Sequence, residues 1–126
     1  MRAVLDTSVL LARDAGPLEG ELAVSAATFA ELHFGALVAR DARVRAERLR
    51  QLTLLQLRFV PIPVDAEVAM SYGLLASTVV RSGRKMRPRV MDLLIAATAH
   101  SRHARLYTRN PKDLTGLEGL LEVVSV

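Results

Sequence analysis

The 126 residues are expected to fold as one domain spanning 1–126, long enough to bury a sizeable core. With 51% apolar and 24% charged residues the composition is that of an ordinary soluble protein, and the absence of cysteine excludes a disulfide framework and any thiolate zinc site, in keeping with a cytoplasmic location. A net charge of +4 invites a polyanionic partner, while the longest charge-free stretch, Val68 to Val80, is shorter than the roughly 20 residues that a membrane span requires.

In chain order, "AVL" at 3–5 reads as a short buried strand, and Asp6-Thr7-Ser8 offers N-cap chemistry for a turn or two of helix. "DAGPLEGE" is a loop, and "LAVS" is a second strand. Ser25 or Thr28 can cap the helix through "ATFAELHFGALVAR". A basic helix follows through "DARVRAERLRQLTLLQLR", with Val44, Leu49, Leu52 and Leu55 able to form an apolar stripe. "FVPIPV" is extended, because its two prolines exclude helix. Asp65 caps a helix that runs toward Gly83, and "RPRVMDLLIAATAHSRH" is the next helix, with Pro88 at its start. "ARLYT" is a strand, "NPKDLTGL" a loop with a helical turn, and "LEVVSV" a last strand. Strands alternating with helices imply an α/β fold: a mainly parallel central sheet of four to five strands, with functional groups at the strands' carboxyl ends.

Asp6 ends the first strand inside an apolar run, where an uncompensated carboxylate costs several kcal/mol. Helix capping would account for it alone. Glu31 lies on a helix that looks largely buried, Asp92 one turn into an apolar helix, and Asp113 just past a strand. Four acids so placed share one purpose more readily than four separate ones. Gathered carboxylates repel unless a cation neutralises them, and hard oxygen ligands without Cys or His suit Mg²⁺ or Mn²⁺. On this reading a metal lets Asp6 stay ionised. His33 faces away from Glu31, and His103 is about 16 Å along the axis from Asp92, so the histidines, His100 included, are expected to be surface or core residues.

"VLDTSVLLA", "SAATFAELHFG", "MDLLIAATA" and "LYTRNPKDL", in this order and spacing, resemble the PIN-domain ribonucleases, and more narrowly the VapC toxins of toxin–antitoxin pairs. The resemblance covers the whole chain. It implies a PIN-like three-layer fold and a Mg²⁺- or Mn²⁺-dependent endoribonuclease that cuts transfer or ribosomal RNA, forms a homodimer and is neutralised by a cognate VapB-type antitoxin. It carries over Asp6, Glu31 and Asp92 as catalytic acids and metal ligands, with Thr7 or Ser8 supporting the first. Thr108 and Asn110 support the last motif. Asp113 is expected to complete the acid set in preference to Asn110, because a carboxylate attracts a dication while an amide contributes only a dipole. Leu114 stands where the usual aromatic would be. Arg84, Lys85, Arg87, Arg89 and Arg109 are candidate RNA contacts, a solvated surface being the alternative for the cluster.

Two other readings use the same residues. "LDTSV" is similar to the opening of a haloacid dehalogenase-type phosphatase, but that pattern needs a second Asp where Ser8 stands. A catalytically idle module that only holds RNA or protein would have no need of all four acids.

Overall fold

The computed structural model describes residues 1–12, 14, 16–83 and 90–126. In chain order they form β1 (Arg2–Leu5), α1 (Thr7–Leu10), β2 (Glu21–Ala23), α2 (Ala26–Leu37), α3 (Ala42–Arg58), α4 (Ala66–Arg81), α5 (Val90–Ser101), β3 (Arg105–Thr108), a 3-10 turn (Pro111–Leu114) and β4 (Val123–Ser125). The expected cluster Arg84 to Arg89 lies outside the described residues. Among those described, no helix is long and apolar enough to cross a membrane.

The four strands form one sheet in the order β2-β1-β3-β4, every pair parallel. From β1 the chain first moves to one side to add β2, then returns across to the other side to add β3 and β4. The seam between β1 and β3 is therefore the point where the winding reverses, and ligand sites of open parallel sheets lie at the carboxyl ends of such a seam. Among the described residues a fifth strand does not form. The "FVPIPV" segment is extended as expected but makes only one bridge, between Ile62 and Ser25. Ile62 donates its N–H to Val24 and accepts from Ala26, and the prolines on either side of it have no N–H to carry the ladder further.

Alternation along the strands assigns the two faces. Val4 and Leu106 point into one core layer with Leu75 and Val79 of α4, and Leu93 and Ile95 of α5. Ala3, Leu5 and Tyr107 point into the other, with Val9 of α1 and Phe59 at the end of α3. On α3 itself only Leu52 of the anticipated stripe is fully buried; Leu55 is half-buried, packed with it against Phe29 and Leu32. Val44 remains exposed.

Helix starts are set by short polar side chains. Ser25 accepts the Ala27 N–H. Its hydroxyl lies 2.9 Å from that of Thr98. Because the Thr98 proton goes to the Leu94 carbonyl, the Ser25 proton must go to Thr98, so the cap of α2 is also a buried link to α5. Asp41 caps α3. Asp65 caps α4 by accepting the Val68 N–H at 3.0 Å, and it pairs with Arg102 at 2.9 Å just beyond α5.

The Val68 N–H, and after it the Arg102 guanidinium, hold the Asp65 carboxyl below its usual value of 3.8. A depressed folded pKa gives stability that is complete above the unfolded pKa and fades as pH falls through the folded one. Asp65→Asn should therefore lower Tm at neutral pH, with the gap to the unmutated protein closing as pH falls below 3.8 and through the depressed folded value. Thermal melts across that range check it; a gap that stays constant with pH would mean that the ionised carboxylate contributes nothing.

Candidate active site

Asp6 stands directly after β1, and the fold surrounds its carboxylate with donors. The Thr7 N–H donates to Oδ1 at 2.8 Å as the N-cap bond of α1. The Ser8 hydroxyl donates to Oδ2 at 2.9 Å, and the Thr108 hydroxyl, at the end of β3, donates to the same oxygen at 2.8 Å. The sequence suggested that a metal offsets the burial of Asp6. In the structure the protein's own hydrogen bonds already do so, and hydrogen bonds to an ionised group contribute about 1.5–3 kcal/mol each. The same side chain thus caps α1 and lines a cleft at the carboxyl end of the sheet.

Asp92, in the first turn of α5, and Asp113, in the 3-10 turn after β3, join Asp6 around one small cleft of about 70 Å³. Thr108, Asn110, Leu106 and Leu114 complete its wall. Both contenders for the last position of the set therefore reach the cleft. Among the described residues Asp113 makes no side-chain bond to the "LTGL" turn, whose Gly116 N–H donates to Glu118 at 2.9 Å. Asn110 leads into Pro111 and donates its backbone N–H to the Thr108 hydroxyl at 3.0 Å.

Glu31 is placed differently from the other acids. It accepts the Thr7 hydroxyl at 2.9 Å, with Thr28 alongside at 3.3 Å, and lines a neighbouring groove, not the cleft. Thr7 stands between the two, with its N–H on Asp6 and its hydroxyl on Glu31. The donors at the cleft are all hard oxygens, the set that suits Mg²⁺ or Mn²⁺. Among the described residues, however, no three acidic or histidine side chains are drawn together closely enough to hold an ion as they stand. The histidines keep clear of the cleft: His33 and His103 are exposed, and His100 is bonded through Nδ1 to Ser71 at 2.8 Å.

Arg109, expected to contact RNA, is occupied. Its guanidinium pairs with Asp14 at 2.6 Å, and this hydrogen bond holds the Asp14 carboxyl below the usual carboxylate range. Asp14 was not picked out by sequence reasoning, and no spacing could reveal a partner 95 residues away. Thr28, buried beside Thr7, was seen only as a possible cap.

The neighbouring groove, about 990 Å³, runs between α1, α2 and α3. Leu10, Leu32 and Leu55 form its apolar floor. Leu54 and Leu57 stand exposed at its edge, with Arg48 and Arg58 beside them.

Comparison with known proteins agrees with this fold. The PIN domain family profile matches residues 3–114. Ribonuclease VapC5 of Mycobacterium tuberculosis (strain ATCC 25618 / H37Rv) is 34% identical over 126 residues, covering 95% of this chain and 90% of that protein. Among solved structures, the VapBC-5 toxin–antitoxin system of Mycobacterium tuberculosis superposes with a TM-score of 0.83 at 34% identity, covering 99% of this chain and 97% of the other. VapBC-1 of nontypeable Haemophilus influenzae gives 0.76 at 26% identity, covering 99% and 98%. A parallel sheet with acids gathered at its reversal seam, matched over nearly its whole length by these relatives, places the chain in the PIN-domain family, on its VapC branch.

Proposed function

We propose that residues 1–126 form a PIN domain that hydrolyses phosphodiester bonds in RNA, as the toxin of a toxin–antitoxin pair in the cytoplasm. The observation that carries the reading is the meeting of Asp6, Asp92 and Asp113 at one cleft on the β1–β3 seam, with Asp6 oriented by three donors. Ribonucleases of this family depend on a metal ion. The oxygen-only donor set favours Mg²⁺ or Mn²⁺ here, with Asp6, Asp92 and Asp113 as the residues that would hold it. Such an ion, when bound, supplies Lewis-acid activation of water and neutralises charge developing on the phosphate.

The chain's own residues do the positioning. Thr108 and Ser8 hold Oδ2 of Asp6, and the Thr7 N–H holds Oδ1, so the carboxylate cannot turn away from the cleft without losing three bonds. Asp92 sits in the first turn of α5, where the helix dipole favours its negative charge. Glu31 acts from the side, accepting the Thr7 hydroxyl and so holding the residue whose N–H orients Asp6.

The antitoxin reading rests on the groove. The neighbours of known structure are VapBC assemblies, and an apolar floor between helices, with basic residues at the edge, suits an amphipathic helix that also carries acidic side chains. A homodimer is the expected toxin assembly.

Protein freed of antitoxin should cut a susceptible RNA in Mg²⁺ or Mn²⁺ and stop in EDTA; cutting that persists in EDTA overturns the metal mechanism. Asp6→Asn and Asp92→Asn should each reduce the rate by more than the ~10–100-fold that loss of an outer-shell partner brings. Asp113→Asn should weaken metal binding and slow cleavage, with Asn110→Ala changing both little; the reverse order would assign the position to Asn110.

At the groove, Leu54→Asp with Leu57→Asp should leave cleavage intact, since both side chains are exposed, and should weaken inhibition by the cognate antitoxin at least tenfold, on the order of 1.4 kcal/mol. Inhibition assays over an antitoxin titration read this directly. Unchanged inhibition would place the antitoxin elsewhere.

A further inference from the structure

Arg109 is held at its two ends by different parts of the molecule. Its backbone N–H donates to the Ser8 hydroxyl at 3.1 Å, and that hydroxyl donates in turn to Asp6 at 2.9 Å. Its neighbours Thr108 and Asn110 both line the acid cleft. Its guanidinium instead reaches out to Asp14, Nη2 to Oδ1 at 2.6 Å. The arginine side chain is 31% exposed and that of the aspartate 80%. The Arg109 Nε is buried and has no hydrogen-bond partner, so the pair uses only part of the donor fork.

We propose that Asp14 is a latch on Arg109, whose guanidinium the Asp14 carboxylate holds in the free protein and yields to a phosphate of bound RNA. The proposal rests on the RNA-cleaving reading above and adds to it a phosphate contact and the residue that restrains it. Three physical points support the exchange. An ion pair with one partner almost fully in water is weak, because solvent screens it. Asp14 returns to water at no desolvation cost when released, being largely hydrated already. A phosphodiester has two non-bridging oxygens and fits the guanidinium fork in bidentate fashion, giving a partner to Nε as well as to Nη2. The backbone tie to Ser8 keeps Arg109 registered to Asp6 during the exchange, so the released guanidinium stays tethered beside the cleft-lining Thr108 and Asn110.

The full chain in an Asp92→Asn background, which spares the RNA, tests this with a short fluorescent single-stranded RNA of mixed sequence. Asp14→Asn should tighten binding about two- to fivefold at low salt, the range open to an exposed pair. Arg109→Gln should reduce the slope of log affinity against log salt by about one. The decisive measurement is the double variant: with Arg109→Gln in place, Asp14→Asn should no longer tighten binding. A gain that persists undiminished shows Asp14 acting through net charge alone and overturns the latch, as does an Asp14→Asn variant that binds no more tightly. Should Arg109→Gln fail to fold by circular dichroism, Arg109→Lys keeps the charge without the fork, and in it the Asp14→Asn gain should shrink. Cleavage by the unmutated chain is read separately. Its absence would overturn the nuclease reading, while the coupling between Asp14 and Arg109 in RNA binding still decides the latch.

Discussion

The hydrogen bond from the Thr108 hydroxyl to the Asp6 carboxylate is the contact on which the site depends. It crosses the seam between β1 and β3 at their carboxyl ends, the place where the winding of the sheet reverses. With the Thr7 N–H and the Ser8 hydroxyl it gives the half-buried charge of Asp6 three donors. A carboxylate in that position with one donor missing would lose a charge-assisted bond and keep its desolvation penalty, an asymmetry that strongly favours the closed arrangement. The same three bonds start α1, align the ends of two strands and present one carboxylate to the cleft.

Small hydroxyl side chains carry this arrangement outward. Thr7 connects Asp6 to Glu31 and Thr28 on α2, and Ser25, the cap of α2, connects to Thr98 on α5. Each such residue has one proton to give and two lone pairs to offer, so one side chain can serve a helix cap and a neighbouring element together. The core between them is built from Leu, Val, Ala and Ile. With few aromatic groups to lock its layers, relative placement of the helices draws on these buried polar links as well as on packing.

The acid cleft and the apolar groove meet at Thr7, which is bonded to Asp6 on one side and to Glu31 on the groove wall. Under the proposed function, an occupant of the groove therefore lies beside the catalytic carboxylates without having to enter their cleft. On the other side of Asp6, Ser8 connects to Arg109 and so to the loop that carries Asp14. Tyr107, next along β3, pins the same loop by donating to the Glu19 carbonyl at 2.7 Å.

What the sequence by itself determined was everything whose cause lies within a few residues. Ser25, Asp41 and Asp65 cap helices because a short oxygen-bearing side chain meets free N–H groups two or three residues on. Pro61 and Pro63 keep their segment extended because they can neither join a helix nor donate to a ladder. Alternating periodicities gave the parallel sheet, and acids at strand ends and a first helical turn marked Asp6, Asp92 and Asp113. Tertiary structure alone decided which of these meet. Thr108 reaches Asp6 across 102 residues, and Arg109 reaches Asp14 across 95. Glu31 looked equivalent to the other acids, yet its helix turns it to Thr7 and the groove. Such pairings depend on how strands register and helices pack, and a linear pattern records which groups need a partner without recording which partner the fold brings to them.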